Sequence, residues 1–262
     1  ARAEQMSEAL SWLSAEEAEG QLPIARWLSK TPFGEDWDIV MSASPIAVAD
    51  QLRKNLWYRC YGAVVTSATL TALNSFNNLR WESGLPDWAN YQRVASPFNY
   101  PELGEIQAVQ LKSDPKSEQF QDDVQDWLKE NINLEVGTLV LFSSRLQLEA
   151  TRDYFLRDWY DQLLCQGFLP KAEIVRRHKA KIDDGKGSVI FGLASFAEGI
   201  DLPGDYVTHV VIAKIPFAVP NDPIQAATSE WLESNGRNPF MELTLPAASI
   251  RLIQACGRMI RK

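Results

Sequence analysis

Ser188-Val189-Ile190-Phe191-Gly192-Leu193 is a continuous apolar run, and Ala194-Ser195-Phe196-Ala197-Glu198-Gly199-Ile200-Asp201-Leu202-Pro203-Gly204-Asp205 follows it directly. The run has the length and the β-branched content of a strand covered on both faces. The same pattern repeats outward from it. Thr138–Phe142 (TLVLF), Val207–Ala213 (VTHVVIA), Ala63–Ser67 (AVVTS) and Asp38–Ser42 (DIVMS) read as further buried strands, and Ile106–Leu111 (IQAVQL) alternates like one. Helical periodicity fills the gaps. Ala47–Trp57 carries apolar residues at helical spacing, and Glu118–Asn131 places Phe120, Val124, Trp127 and Leu128 on one stripe. Arg145–Leu156 and Ala247–Arg261 read as helices too, the latter with Pro246 just before it, where a helix start tolerates proline. Asp38–Ser42, Ala47–Trp57 and Ala63–Ser67 together predict a β-α-β unit and hence parallel pairing. The expected class is α/β: a mainly parallel, doubly wound sheet flanked by helices. Ligands of such sheets gather at the carboxyl ends of strands. TSATL after AVV, SSR after TLVLF and ASFAEGIDLPGD after SVIFGL occupy those ends.

The rest of the composition narrows the function classes. The chain has 26 Lys and Arg against 34 Asp and Glu, a net charge of −8. That is the wrong sign for a simple nucleic-acid-binding domain, so any such binding must come from local donors. Cys60, Cys165 and Cys256 are far apart and lack metal-ligand spacing, and His178 and His209 are the only histidines. Buried or incidental thiols are expected, with no metal site in this chain. No apolar run approaches a membrane span. The start, ARAEQMSEALSWLSAEEAEG, is acidic and polar, unlike a secretory signal, and its lack of an initial Met suggests an excised piece.

Four segments carry a family resemblance. Thr66-Ser67-Ala68-Thr69-Leu70 is similar to the Ser-Ala-Thr helicase motif, and Leu139–Arg145 (LVLFSSR) to the fourth motif. Phe191–Asp205 resembles the fifth, and Gln254–Arg261 (QACGRMIR) fits the sixth, Q-x-x-G-R-x-x-R. Their order and separations resemble the XPD/DinG iron–sulfur family of superfamily-two helicases. SFAEGIDLPGD, IAKIPF and EWLESNGRNPF point to its bacterial DinG branch. The resemblance implies a RecA-like fold and the second of two motor domains. Ala1–Glu35 would be the tail of an arch-type insertion, and residues 36–262 the motor domain without its final strand. A G-x-x-x-x-G-K-[ST] loop, an Asp-Glu-x-His box and the cluster-binding cysteines are not in this sequence. By resemblance they belong to the first motor domain.

The implied activity is ATP-driven 5′-to-3′ movement on single-stranded DNA in repair or replication. Half of the ATP–Mg2+ site and the 4Fe-4S cluster would lie elsewhere in the parent protein, so the fragment alone would be inactive. The implied partners are single-stranded DNA and the first RecA-like domain, in a monomer of the bacterial cytoplasm associated with the nucleoid. An RNA- or R-loop-directed motor, a helicase-nuclease and a non-catalytic adaptor are the rival readings.

The resemblance also gives the residues roles. Arg258 and Arg261, three apart and on one helix face, would be arginine fingers toward the ATP phosphates. Gly257 would keep that helix open, and Gln254 would link nucleotide to DNA or face solvent. Gly199 lets backbone N–H groups approach a phosphate or water. Asp201 would accept from the ribose or a water network, and Glu198 would orient a finger; loop capping is the alternative for both, and for Glu198 it suits equally. Ser143, Ser144 and Ser195 would contact DNA phosphates or cap helices, and Thr66 and Thr69 would couple ATP to DNA. Arg176–Lys181 is a basic run that either attracts a backbone or forms a solvated helix face. Most of the nine Trp read as core, and Phe196 is the aromatic with a claim on DNA.

Overall fold

The computed structural model describes residues 2–16, 22–34, 36–193, 196, 199–217 and 222–257. The chain divides into two units, Ala1–Gln92 with Ala218–Ala247 and Arg93–Phe217 with Ala248–Lys262.

The first unit opens with helix α1 (Arg2–Ser14). Its last carbonyls are captured by Arg26, which donates Nε to Trp12 O at 3.0 Å and Nη2 to Ala15 O at 2.6 Å. A cation at a helix C-terminus satisfies orphan carbonyls and meets the negative end of the dipole. Arg26 belongs to β1 (Ile24–Phe33), which pairs antiparallel with β2 (Asp36–Pro45) from Ile24↔Pro45 to Phe33↔Asp36. Asp38–Ser42 is therefore a strand as expected, but it belongs to an exposed hairpin, not to a parallel unit.

Helix α2 (Ala49–Asn55) follows. Ala63–Ser67 is then exposed and without a ladder partner among the described residues, so the expected β-α-β unit is absent. Valines favour a strand only where a neighbouring edge accepts their N–H and C=O groups. Helix α3 (Asn77–Ser83) and the helix Pro223–Ser234 are joined by stacked Trp81 and Trp231, 5.5 Å between ring centroids. A π turn at Phe240–Thr244 runs straight into the last helix, Leu245–Cys256. That helix starts two residues earlier than its periodicity predicts, with Pro246 in its first turn.

The second unit holds the core. After a one-turn helix α4 (Tyr100–Leu103), residues 106–111 join no ladder among the described residues, so the alternation of IQAVQL is not used in a sheet there. Then come α5 (Phe120–Asn131), β3 (Gly137–Phe142), α6 (Arg145–Phe155), β4 (Leu163–Cys165), α7 (Lys171–Asp183), β5 (Ser188–Leu193) and β6 (His209–Ile212). The strands form one parallel sheet in the order β4-β5-β3-β6.

Strand period 2 sends alternate residues to opposite faces. On one face Val140, Phe142, Val189 and Phe191 meet Phe120, Val124 and Leu128 of α5, and Leu148 and Phe155 of α6. On the other, Leu139, Leu141, Leu164 and Ile190 meet Ile174 of α7 and Ala255 of the last helix. Helices cover both faces, which is the doubly wound α/β arrangement, and the four-stranded unit fits a RecA-like fold. Each such Val, Leu, Ile or Phe contributes roughly 1.5–3 kcal/mol by burial. The stripe expected on α5 is the one buried, with Trp127 packed at its margin. Trp159 stacks on Phe155 with ring centroids 3.8 Å apart, so it is a core residue.

Candidate functional site

The carboxyl edge of this sheet carries the described part of the fifth motif. Gly192 leaves room for the chain to fold back: a Cβ there would stand 2.9 Å from Cδ1 of Phe196. Phe196 is consequently 2% exposed and buried with Ile200 and Leu202 beneath the loop. This corrects the expectation that Phe196 faces DNA, because a ring enclosed by its own strand cannot stack on a base. The three apolar anchors leave Gly199 and Asp201 on the exposed side. Gly199 adopts φ +69°, a left-handed conformation that side chains other than glycine's disfavour.

Ala255 of the last helix lies in the same apolar cluster as Phe196, Ile200 and Leu202. Half-buried Gln254 and Gly257 flank it, with Gly257 N–H bonded to Ile253 O at 2.9 Å. A Cβ on Gly257 would lie 3.1 Å from that carbonyl, so the helix end is tightly wound. The loop after β5 and the end of the last helix thus share one floor. Arg258, Arg261, Ser195 and Glu198 lie outside the described residues.

Lys171, the first residue of α7, is not among the site residues that the motifs predict. Its Nζ lies 5.3 Å from the Phe196 ring centroid and 3.9 Å from where a Cβ at Gly199 would be. Only the folding of α7 against the loop brings this cation there, and no local motif announces it.

At the end of β3, Ser144 caps α6: Gln147 N–H donates to its Oγ at 3.2 Å. Ser143 is half-buried beside it. Thr66 and Thr69 belong to the first unit. Thr66 is exposed, and Thr69 N–H donates to Ser67 Oγ at 3.2 Å, a local turn. The basic run on α7 is largely engaged. Arg176 and Arg177 both pair with Glu173, whose carboxyl their hydrogen bonds hold down at about 2. His178 is buried, and Lys179 sits over the Tyr206 ring at 5.1 Å. That is the solvated-helix-face reading.

Cys60 is exposed, Cys256 half-buried, and burial pushes the Cys165 thiol up to about 12. Among the described residues no group of three His, Cys, Asp or Glu could hold a metal ion. The three thiols do not make the cysteine set of an iron–sulfur cluster. No described helix is long and apolar enough to cross a membrane.

Residues 129–262, which carry this sheet and both flanking motifs, match the model of the helicase C-terminal domain. The chain belongs to that family. Its relatives include the ATP-dependent DNA helicase DinG of Photobacterium profundum, 39% identical over 247 residues. That alignment covers 92% of this chain and 35% of the relative. The proteins of the same name from Shigella flexneri and Escherichia coli (strain K12) are each 37% identical over 246 residues, 91% of this chain and 34% of theirs. This helicase C-terminal domain chain thus spans about a third of the length of the curated relatives it matches.

Proposed function

We propose that the chain forms one wall of an ATP site and part of a single-stranded-DNA track in a larger, DinG-type DNA helicase. The observation that supports this reading is the shared floor: Ala255 belongs to the same buried cluster as Ile200 and Leu202, so the described start of the sixth motif and the Gly199–Asp201 turn rest on one apolar core. The four-stranded unit is the core of the second motor domain, and Ala1–Glu35 is the tail of an arch-type insertion. A first RecA-like domain of the same polypeptide holds the nucleotide with Mg2+, and a 4Fe-4S cluster belongs to that part.

Bound ATP supplies the phosphoryl group whose transfer to water drives the cycle. This chain's own residues bind and position. The Gly199 turn approaches the nucleotide, Asp201 accepts from its ribose or an ordered water, and Arg258 and Arg261 neutralise charge that builds on the transferring oxygens. Gln254 sits between this site and the DNA side. Ser143, Ser144 and Ser195 hold phosphates without reading sequence, and Thr66 and Thr69 couple the two events. The motor moves 5′ to 3′ as a monomer in the cytoplasm, on nucleoid DNA.

The test is Arg258→Ala in the full-length helicase. A lost finger should lower single-strand-stimulated ATP turnover by roughly 10³-fold or more. Unchanged turnover would sink the motor reading and leave a non-catalytic adaptor.

A further inference from the structure

The turn after the edge strand β4 presents a half-exposed aromatic ring that none of the four motifs includes. Phe168 follows Gly167, which has φ +92°, and its own N–H bonds back to Cys165 O at 3.4 Å. The turn is held from beneath. Gln166 N–H donates to Phe191 O at 2.9 Å, and its side-chain Oε1 accepts from Leu193 N–H at 2.8 Å. It is therefore fixed to the central strand β5 at the same carboxyl edge as the loop described above.

The Arg152 guanidinium carbon lies 3.5 Å from the Phe168 ring centroid, with Nη1 paired to Asp153. Such stacking restrains the ring and leaves the residue 49% exposed. Arg145, next to the Ser144 cap, stands within reach of the same turn: its Nη2 would be 3.2 Å from a Cβ on Gly167. Its side chain is 71% exposed and bonds Glu149 through Nε at 2.8 Å, an arrangement that leaves its fork turned to the turn and to solvent.

A restrained, half-exposed aromatic ring beside an exposed guanidinium is the pairing that recognises single-stranded nucleic acid: the ring takes a base and the cation its phosphate. We propose that Phe168 is a stacking platform for one base of the DNA strand, backed by Arg152, with Arg145 on the adjoining phosphate. The inference rests on the DNA-motor reading and deepens it by adding a base contact to a track otherwise made of phosphate contacts.

The test uses the full-length helicase and two fluorescent probes, an oligothymidylate and the same strand with a run of abasic residues. Phe168→Ala should weaken oligothymidylate binding by roughly 5- to 100-fold, the range for one base–aromatic stack. It should bind the abasic strand as the wild type does, which also shows that the variant is folded. Phe168→Trp should restore the affinity, with tryptophan fluorescence quenched on binding. If Phe168→Ala loses the same factor on both strands, or loses nothing on either, the platform is refuted and Phe168 only covers Arg152. A wild type that binds neither strand would instead bring down the DNA reading itself, and the platform with it.

Discussion

Phe196 occupies the space that a side chain on Gly192 would need: a Cβ at Gly192 would meet its Cδ1 at 2.9 Å and its Cβ at 3.0 Å. The loop that carries the site is thus seated by a vacancy in the strand before it. Gly192→Ala has to push the ring outward or bend β5, whose neighbours on both sides are paired. Overpacking of this kind costs about 1–3 kcal/mol. Urea unfolding should show that loss, and turnover of the full-length helicase should fall at temperatures where the variant is still folded. A Gly192→Ala protein as stable as the wild type would mean that the ring is not seated there.

Gly199 gives a different dependence, because its constraint is conformational. Among the described residues a Cβ there would meet only Lys171 Nζ, at 3.9 Å, but φ is +69°. A left-handed residue with a side chain costs about 1–2 kcal/mol, and asparagine tolerates that region better than alanine. The expected stability order is Gly, then Asn, then Ala, read from unfolding midpoints. Equal stability of the three would show that the loop has relaxed to another conformation.

These two glycines mark where sequence reading succeeds and where it stops. β3, β5, α5 and α6 are legible because continuous apolar runs and one-sided stripes leave few alternatives for a chain that must bury them. AVVTS and IQAVQL have the same local signal but lack a ladder partner among the described residues, and strand propensity expresses the neighbour's edge as much as the residue. β1 escapes a sequence reading because Lys30, Thr31 and Pro32 interrupt its apolar pattern, and β4 because three residues carry no period. At the site, the cap by Ser144 can be read from a serine placed just before a helical stripe. The direction of Phe196 cannot, since it depends on the absence of a side chain at Gly192. Lys171 reaches the loop only through tertiary packing.

Ser144 has two possible duties that substitution can separate. As an N-cap its Oγ accepts from Gln147 N–H, and loss of such a cap costs about 1 kcal/mol. Ser144→Ala should therefore lower stability by about that amount. Ser144→Asp keeps the acceptor and favours the helix dipole, so stability should be retained. A carboxylate at a phosphate contact repels the backbone, however, and single-strand affinity of the full-length helicase should drop for Ser144→Asp at low salt. If Ser144→Asp binds DNA as tightly as the wild type, the residue is a cap and nothing more.

His178, buried on α7, sets a pH dependence of stability. Its ring is fully buried, with Nε2 2.5 Å from Tyr206 O and Nδ1 buried without a hydrogen-bond partner. The neutral tautomer with the proton on Nε2 donates to that carbonyl. Burial pushes its pKa below 6.5, the Tyr206 carbonyl pulls it back, and nearby Lys181 lowers it further. His209 is shifted the same way by burial. The folded pKa is thus depressed below the unfolded one. Well above pH 6.5 neither state binds the proton and stability is flat in this respect. As pH falls below 6.5 the unfolded chain gains a proton that the folded chain refuses, so stability declines until the folded pKa is reached. The slope for one such proton is at most about 1.4 kcal/mol per pH unit. Unfolding in urea at roughly pH 7.5 and at roughly pH 5.5, above the range where carboxylates titrate, should show the wild type losing stability on acidification. His178→Gln keeps an N–H donor for Tyr206 and cannot titrate, so it should lose distinctly less, with the remainder owed to His209. A His178→Gln variant whose acid sensitivity equals that of the wild type would show that His178 titrates in the fold as it does in the unfolded chain.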